Sequence, residues 1–434
     1  MKLILGEEHV IVRGMRPEEP NCLWGPYQFP RPYNLGDRLL VAVHVTVDDG
    51  KSMGEANRWF ESYDEGVTWT EADPSVAAEC GLLLPNGDRV YFPPESGLSL
   101  DEYEFTHESM LTPGYAFSKQ ADEGTLPVPD GIQYQWGIAM RAYHADRLPP
   151  SLARKEWLMH RIPAGGTTPT IERAQVDWPY LTRVVYDNGD EYKKVLKPIF
   201  PRGTPKLGPD GAIWVAVFSG EGHLHPVTGK YSPYYAAELF RSEDFGRSFQ
   251  LRGHMEYEPD GHTYPYQSGG FSDSDFGFMP DGSIVWFFRT AWQGITGREW
   301  DPMYMARSTD GGHTWSAPRQ FADVGILPRL CTLGCGVTLL CYARPGMYVC
   351  ASEDESGIKW GDPLVVMTPE DRSHLANVKI ETPNFHEWVG SCHNPELVPL
   401  DHKSALLFYS DFYYPDRDGV KRKTILCRRV TVGV

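Results

Sequence analysis

A short motif recurs four times along the chain and constrains its fold more than any other feature. Two copies, at 62–69 and 308–315, have the form S-x-D-x-G-x-x-W; the copy at 242–249 ends in Phe, and the copy at 352–360 carries one inserted residue. In this motif the Asp can accept hydrogen bonds from turn amides, the Gly allows a positive φ, and the aromatic ring anchors the turn in a core. The repeat therefore predicts four hairpin turns of one kind, and its residues indicate a structural role.

A second repeat accompanies the motif. Apolar runs typical of buried strands occur at 39–43, 212–217, 283–288, 337–341 and 404–409, and a Pro-Asp-Gly turn precedes two of them. Each unit reads as strand, turn, buried strand, strand, motif turn and strand, which is a four-stranded antiparallel sheet. Repetition of such sheets around an axis is a β-propeller, which leaves only short sheet edges.

We therefore predict an all-β chain that forms a six-bladed β-propeller of four-stranded antiparallel blades, with seven blades as the alternative. Residues 1–434 are expected to form a single domain, in which 78–190 is either one blade with long insertions or two irregular blades. The N-terminal strand at 8–12 is expected to pair with the C-terminal strand at 424–432 and so complete the last sheet. One short helix is predicted, at 150–158.

The charge balance excludes two classes of partner. The chain has 41 Lys and Arg against 58 Asp and Glu, a net charge of −17, and it lacks basic runs. We therefore expect no nucleic-acid partner and no membrane partner. The N-terminus lacks a signal-peptide core, so a cytoplasmic location is expected, and the eight cysteines lack zinc spacing and are predicted to be buried free thiols. The oligomeric state is left open.

The four motif copies, the Pro-Asp-Gly turns and the strand order resemble the sialidase (neuraminidase) superfamily, with its Asp-box or BNR repeats. The resemblance implies a propeller that acts on a glycan, and it also implies individual site residues. Arg289 and Arg344 match two of the three arginines that hold the substrate carboxylate. Asp48 or Asp49 matches the acid/base Asp, and Asp273 lies where the family has a Glu.

Two positions depart from the sialidase pattern. The first carboxylate-binding arginine would open an Arg-x-Pro segment, but the chain has Gln28 there, in Gln28-Phe29-Pro30. The Tyr nucleophile would begin the last blade, but Asn394 stands there beside His393. These departures predict a different glycan substrate, a different mechanism, or binding without catalysis.

Arginines form a pattern that does not depend on the resemblance. A Pro-Arg pair followed shortly by Leu-Gly recurs at Arg31, Arg202 and Arg329, at the first strand of three predicted blades. Equivalent positions in repeated units lie at similar radius and height, so some of these arginines, with Arg289 and Arg344, are expected to converge on one anion. A guanidinium cluster in an acidic chain favours a sugar carboxylate or sulfate. For any one of the five, an ion pair between blades is an equal alternative.

Histidines offer a second chemistry. His223 and His225 follow a buried strand where a loop should reach the binding face, and His393 begins the last blade. A neutral imidazole can remove a proton beside a uronic acid carboxylate, which is polysaccharide lyase chemistry. Two histidines without a third ligand do not predict a metal site, and no cofactor is expected.

The function predicted from these observations is a glycoside hydrolase that acts on an acidic (carboxylated) oligosaccharide or glycoconjugate. The alternatives are a polysaccharide lyase with a His base and a non-catalytic glycan-binding propeller. The predicted catalytic residues are Asp48, Asp49, Asp273 and His393, and the predicted substrate-binding residues are Gln28, Arg31, Arg202, His223, Arg289, Arg329 and Arg344.

Overall fold

The computed structural model describes residues 1–14, 27–45, 57–93, 98–100, 104–105, 125–135, 138–187, 195–196, 201, 204–218, 222–256, 270–290, 302–368 and 393–433. The chain divides into two compact units. Unit 1 comprises Met1–Gly81, Ser274–Arg289 and Trp300–Val434, and unit 2 comprises Leu82–Asp273 and Thr290–Glu299. Within the described ranges, no helix has the length and apolar character needed to cross a membrane.

Strands account for nearly all regular structure in these ranges, beside short 3₁₀ turns at Pro74–Glu79 and Ala145–Arg147. Strands β1 to β5 are Lys2–Arg13, Gln28–Asn34, Leu39–His44, Asn57–Ser62 and Thr70–Ala72. Strands β6 to β22 are Leu82–Leu83, Arg89–Tyr91, Leu98–Ser99, Glu104–Phe105, Thr125–Leu126, Gly131–Gln135, Ile138–His144, Glu156–Ile162, Thr170–Asp177, Thr182–Asp187, Val195–Leu196, Lys206–Leu207, Ile213–Phe218, His223–Leu224, Tyr231–Ser232, Ala236–Ser242 and Ser248–Glu256. Strands β23 to β33 are Ser272–Phe278, Ile284–Arg289, Met303–Ser308, Arg319–Ala322, Ile326–Thr332, Thr338–Ala343, Met347–Ala351, Leu364–Met367, Glu396–Pro399, Ser404–Pro415 and Lys421–Gly433.

Four-stranded antiparallel sheets make up unit 1 in the described ranges. Their strand orders are β2-β3-β4-β5, β23-β24-β25-β26, β27-β28-β29-β30 and β31-β32-β33-β1, and the first two residues of β23 fall in unit 2. Four of the five predicted buried runs are the second strands of these sheets, and the run at 212–217 is β18 of unit 2. They are apolar on both faces because neighbouring sheets cover both faces, as where Val41 packs with Phe408 and Phe287 with Leu340.

The chain termini share one sheet, as the sequence predicts. Strand β1 pairs antiparallel with β33, from Lys2 opposite Gly433 to Arg13 opposite Thr424, with two register shifts. The last sheet of unit 1 is therefore completed by the N-terminal strand, which satisfies backbone groups that would otherwise form a free edge.

The repeated motif forms the predicted hairpin turns between third and fourth strands. In the first copy, Ser62 Oγ accepts a hydrogen bond from Gly66 N at 2.9 Å and donates to Asp64 Oδ1 at 2.8 Å. Thr68 donates to Asp64 from its amide and its hydroxyl, and Trp69 Nε1 donates to Gly66 O. The copies at 242–249 and 308–315 repeat the bonds to the Ser and Asp side chains.

Two larger sheets dominate the described part of unit 2. One has the order β17-β18-β21-β22-β14-β13-β7-β6, in which two four-stranded meanders are joined by a single parallel pair, β14 with β22. The other has the order β11-β12-β15-β16-β8. Trp157, Phe240 and Phe249 pack together in the core of the eight-stranded sheet. The irregular segment predicted at 78–190 thus contributes strands to both sheets.

The helix predicted at 150–158 is wrong. The amides of Leu152 and Ala153 both donate to Pro149 O, which makes a single turn, and strand β13 begins at Glu156. Within β13, buried Trp157 and Met159 alternate with more exposed neighbours, a period of two that a tertiary sheet imposes on residues with good helix propensity.

The fold class is confirmed: the chain is all-β, of the β-propeller class, and its described strands pair almost entirely antiparallel. The described cysteines, Cys80, Cys331, Cys335, Cys341, Cys350 and Cys427, carry free thiols, and all but Cys335 are buried. The count of six blades and the single domain stay predictions.

Candidate functional site

The first strands of the sheets in unit 1 lie side by side and run in the same direction. At the end of β2, Asn34 Nδ2 donates to Pro399 O at the end of β31, at 2.9 Å. In the turns that follow β27 and β31, Cys335 N donates to His402 O at 2.8 Å. Thr332 Oγ1, at the end of β27, donates to Phe278 O, at the end of β23, at 3.3 Å. Because these bonds join the strand ends, the strand starts share the opposite end of unit 1.

The backbone is strained where these strands start. Phe29, Leu327, His393 and Asn394 have φ values of 50°, 51°, 53° and 44°, which non-glycine residues rarely adopt. In β2 and β27 the register with the second strand shifts at the same point, so each strand carries a bulge there. Positive φ in bulky residues persists where surrounding structure enforces it, and such residues cluster at functional sites.

Buried polar side chains accompany the strained backbone. Gln28, Arg344, His393 and Asn394 are each less than 7% exposed. Gln28 begins β2 opposite His44, the last residue of β3, and Arg344 follows the end of β28, also with a positive φ. Burial of polar groups is costly, so their concentration at one end of adjoining sheets indicates a binding site. We call this region, defined by Gln28, Arg289, Arg344, His393 and Asn394, the strand-start end.

His393 is held in a defined orientation. Its Nδ1 donates to Ser410 O at 3.0 Å, and Ser410 returns two bonds, from its amide to His393 O at 2.7 Å and from its hydroxyl to Asn394 Oδ1 at 3.2 Å. Because a carbonyl oxygen only accepts, the neutral ring carries its proton on Nδ1 and keeps the Nε2 lone pair. His393 Nε2 is therefore the atom that could accept a proton from a ligand.

The predicted arginines occupy different environments. Arg289 is the last residue of β24 and is half-buried, and Arg344 is buried at the corresponding end of β28. Arg329 Nε donates to Glu396 Oε1 at 2.6 Å, an ion pair between neighbouring sheets that the sequence offered as the alternative to anion binding. Arg31 lies beyond the bulge of β2 and is exposed.

The remaining predicted residues lie elsewhere. Asp48, Asp49 and Arg202 fall outside the described residues. Asp273 and His223 belong to unit 2; Asp273 is the second residue of β23 and has a φ of 35°, the same strained conformation as at the other strand starts. The structure thus brings the starts of β2, β27 and β31 and the ends of β24 and β28 to one end of unit 1.

His223 lies in a group of histidines and glutamates whose other members come from strands β21 and β22. Its Nε2 is 2.7 Å from Glu256 Oε2, and the same carboxylate atom is 3.9 Å from His254 Nε2. On the far side of the His254 ring, Nδ1 is 3.5 Å from Glu238 Oε1. His254 and Glu256 are two residues apart on β22, and this H-x-E spacing was the one signal in the sequence that could have identified them.

Comparisons with known proteins bear on the fold. No protein-family model matches the sequence, and no curated protein matches it. Among solved structures, the chain is similar to a protein of unknown function from Dyadobacter fermentans, with 15% identity and a TM-score of 0.51 over 99% of both chains. This likeness shows the fold alone.

Two further solved structures, with lower TM-scores, are those of enzymes. An α-L-arabinofuranosidase from Fusarium graminearum, in complex with an iminosugar inhibitor, has 12% identity and a TM-score of 0.43 over 97% of this chain and 98% of that chain. A Trypanosoma rangeli sialidase has 11% identity and a TM-score of 0.43 over 98% of this chain and 59% of that chain. At these TM-scores the likeness does not indicate function.

Proposed function

We propose that this protein is a glycoside hydrolase that acts on a carboxylated sugar, and that the strand-start end of unit 1 binds that sugar. The observation that carries the proposal is the set of buried polar side chains, Gln28, Arg344, His393 and Asn394, at a strained backbone end shared by adjoining sheets. The motif repeats, which resemble those of sialidases, support the same substrate class.

The anion-binding part of the site consists of Arg289 and Arg344. Both stand where a second strand ends, in the neighbouring sheets β23-β24-β25-β26 and β27-β28-β29-β30. A guanidinium group can bind a sugar carboxylate through two parallel N–H···O bonds, and partial burial strengthens that interaction relative to water. Arg329 is already held by Glu396, so we assign it a supporting role.

The catalytic carboxylates remain those predicted from the sequence. Cleavage needs one carboxyl group to protonate the leaving oxygen and a second group to attack or to activate water. His44, the last residue of β3, is opposite Gln28, so the chain that continues to Asp48 and Asp49 leaves its sheet at the strand-start end. We propose Asp48 or Asp49 as the acid of this site; Asp273, predicted from the sequence as the second carboxylate, belongs to unit 2.

One observation favours lyase chemistry as a second candidate. His393 Nδ1 donates to Ser410 O, which leaves Nε2 free of its proton in the neutral ring and suited to act as a base. On this alternative an arginine would neutralise a uronic acid carboxylate while His393 removes the neighbouring proton. The products distinguish the two reactions, since a lyase makes an unsaturated uronide that absorbs in the ultraviolet.

The test is hydrolysis of aryl glycosides of sialic acid and glucuronic acid, against matched glycosides of glucose and arabinofuranose, together with ultraviolet absorbance on uronic acid polymers. We expect release of the aryl group from a carboxylated glycoside. Arg344→Gln should lower kcat/KM for that substrate by about 30- to 100-fold, the value of a charge-assisted bidentate contact. Arg319→Gln, at an exposed position on β26, is the matched control and should leave kcat/KM unchanged.

Three outcomes would count against the proposal. Equal turnover of charged and neutral glycosides would remove the carboxylate from the proposed substrate. An unsaturated product would replace the hydrolase with the lyase, and saturable binding of acidic glycans with no turnover would leave a glycan-binding protein.

A further inference from the structure

The histidine and glutamate group of unit 2 has the composition of a metal site. His254 and Glu256 lie two residues apart on β22 and so project from the same face of the strand. His223 comes from β19, the first strand of the short hairpin β19-β20. One ligand atom from each of the three residues lies within 4.8 Å of the others. We propose that His223, His254 and Glu256 bind a divalent transition-metal ion of the zinc class.

The distances between the proposed ligand atoms lie on either side of the value expected around a bound ion. Tetrahedral coordination at about 2.0–2.1 Å places neighbouring ligand atoms about 3.3 Å apart. Glu256 Oε2 is 2.7 Å from His223 Nε2 and 3.9 Å from His254 Nε2. Shifts of roughly half an ångström in these side chains would therefore bring three ligands around one ion.

The outer nitrogens of the two rings lie near the kinds of acceptor that metal-bound histidines use. Such a histidine usually donates its second N–H to a carbonyl or carboxylate, which fixes the ring and turns the other nitrogen to the metal. His223 Nδ1 makes such a bond, at 2.9 Å from Tyr234 O, whereas His254 Nδ1 is 3.5 Å from Glu238 Oε1 without a hydrogen bond. Both Nε2 atoms consequently face Glu256.

Polar atoms at the centre of the group are not satisfied by hydrogen bonds from the described residues. His254 is about nine-tenths buried, and among the described residues neither of its nitrogens has a hydrogen-bond partner. Oε2 of the buried Glu238 likewise has no hydrogen-bond partner among the described residues. The Glu238 and Glu256 carboxylates lie near opposite nitrogens of the His254 ring, 3.5 Å from its Nδ1 and 3.9 Å from its Nε2. A metal ion would engage His254 Nε2 directly.

The donor set selects the class of metal. Two imidazole nitrogens and one carboxylate oxygen suit zinc and its first-row neighbours, whereas magnesium and calcium prefer oxygen ligands. Three protein ligands leave a fourth position for water. Glu256 provides the route of entry because its side chain is 29% exposed, against 3% for His223.

His225 is a neighbour that the geometry excludes from the ligand set. Its Nδ1 accepts hydrogen bonds from the amides of Val227 and Thr228 at 3.1 and 3.2 Å. The neutral ring therefore carries its proton on Nε2, the nitrogen 3.8 Å from Glu256 Oε1, and cannot bind a metal through that atom. His225 is thus a matched control within 4 Å of the proposed site.

The experiment measures metal binding to the full chain after treatment with a chelator. Isothermal titration with Zn²⁺, Mg²⁺ and Ca²⁺ would be combined with visible spectra of the Co²⁺ form and with thermal unfolding. We expect one equivalent of Zn²⁺ to bind in preference to Mg²⁺ and Ca²⁺ and to raise the melting temperature. His254→Gln and Glu256→Gln should each weaken Zn²⁺ binding by about 100-fold, while His225→Gln should change it less than threefold and Glu238→Gln by about tenfold. Circular dichroism of each variant would establish that it is folded.

Several results would overturn the proposal: no stoichiometric Zn²⁺ binding by the wild-type chain, a preference for Mg²⁺ or Ca²⁺, or equal losses in the His254 and His225 variants. A Co²⁺ spectrum that survives Glu256→Gln would also overturn it. Because these measurements involve no sugar, their outcome is independent of the glycoside hydrolase proposal.

Discussion

The Tyr409 hydroxyl donates a hydrogen bond to the Glu8 carboxylate, and this bond joins residues 401 positions apart in the chain. Tyr409 lies on β32 and Glu8 on β1, with β33 between them. Burial and the nearby Glu8 carboxylate raise the pKa of Tyr409 well above its usual range, so the hydroxyl keeps its proton. The N-terminal strand is therefore held by a side-chain bond as well as by its backbone pairing.

Removal of this bond should destabilise unit 1. We expect Tyr409→Phe to lower the free energy of unfolding by about 2 kcal/mol, because a hydrogen bond between a buried hydroxyl and a carboxylate is lost. Tyr63 is the control: its hydroxyl donates to Glu61 at 3.1 Å, but its side chain is exposed. Urea unfolding should show a much smaller loss of unfolding free energy for Tyr63→Phe, because solvent replaces its hydrogen bond. Equal losses of unfolding free energy in the two variants would show that the buried bond to Glu8 stabilises the fold no more than the exposed bond to Glu61.

The motif turns should make stability depend on acid pH. Hydrogen bonds from the Thr68 hydroxyl and amide lower the pKa of Asp64 to about 2. Since the folded pKa lies below the unfolded value, the ionised Asp64 stabilises the fold above that unfolded value, and the contribution is lost as the pH falls toward about 2. Asp64→Asn should therefore be less stable than wild type at pH ~5, with the gap narrowing as the pH falls to about 2. The midpoints of urea unfolding, measured for both proteins across this pH range, test the prediction. A stability difference between them that does not change with pH would contradict it.

The ion pair between Arg329 and Glu396 should be structural. Both side chains are largely buried, at 16% and 19% exposure, so removal of one partner leaves the other poorly solvated. We expect Arg329→Met and Glu396→Gln each to cost about 2 kcal/mol, and the double variant to cost at least about 1 kcal/mol less than their sum. Additive losses in urea unfolding would show that the pair is not coupled and would return Arg329 to the candidate substrate-binding residues.

A glycine at residue 270 is required by close approach of the backbone. Gly270 has a φ of 120°, and a Cβ there would lie 2.5 Å from Tyr235 O. Gly270→Ala should therefore cost about 3 kcal/mol, from strain and from displacement of backbone. Gly165 also has a positive φ, of 73°, but an added Cβ would meet nothing within 4 Å, so Gly165→Ala should cost about 1 kcal/mol. Similar thermal stabilities of the two variants would show that the backbone at Tyr235 can move away from an added Cβ at little cost.

Local patterns predicted much of the fold correctly. The motif turns around Asp64 and Asp310, and the apolar runs that became β3 and β28, depend on contacts within a few residues or on burial of both faces of a strand. The helix predicted at 150–158 failed because propensity over nine residues is weak beside the packing of Trp157 in a sheet core.

The candidate sites were predicted less completely. Repetition of Pro-Arg pairs drew attention to Arg329, but its partner Glu396 lies 67 residues away and is brought close only because β27 and β31 are neighbours. The histidine pair at 223–225 was visible in the sequence, whereas the residues that surround His223, namely His254 and Glu256, come from a separate strand.

The amino-acid sequence by itself determined the repeated unit and its turns, because turn hydrogen bonds and strand burial are encoded over short distances, and the pairing of the two chain ends was expected because it completes the last repeated sheet. Only the tertiary structure decided which polar side chains meet, which arginine is neutralised by an acid, and which histidine nitrogen faces a carboxylate. Those outcomes depend on the register and proximity of strands far apart in the chain, and no local pattern specifies them.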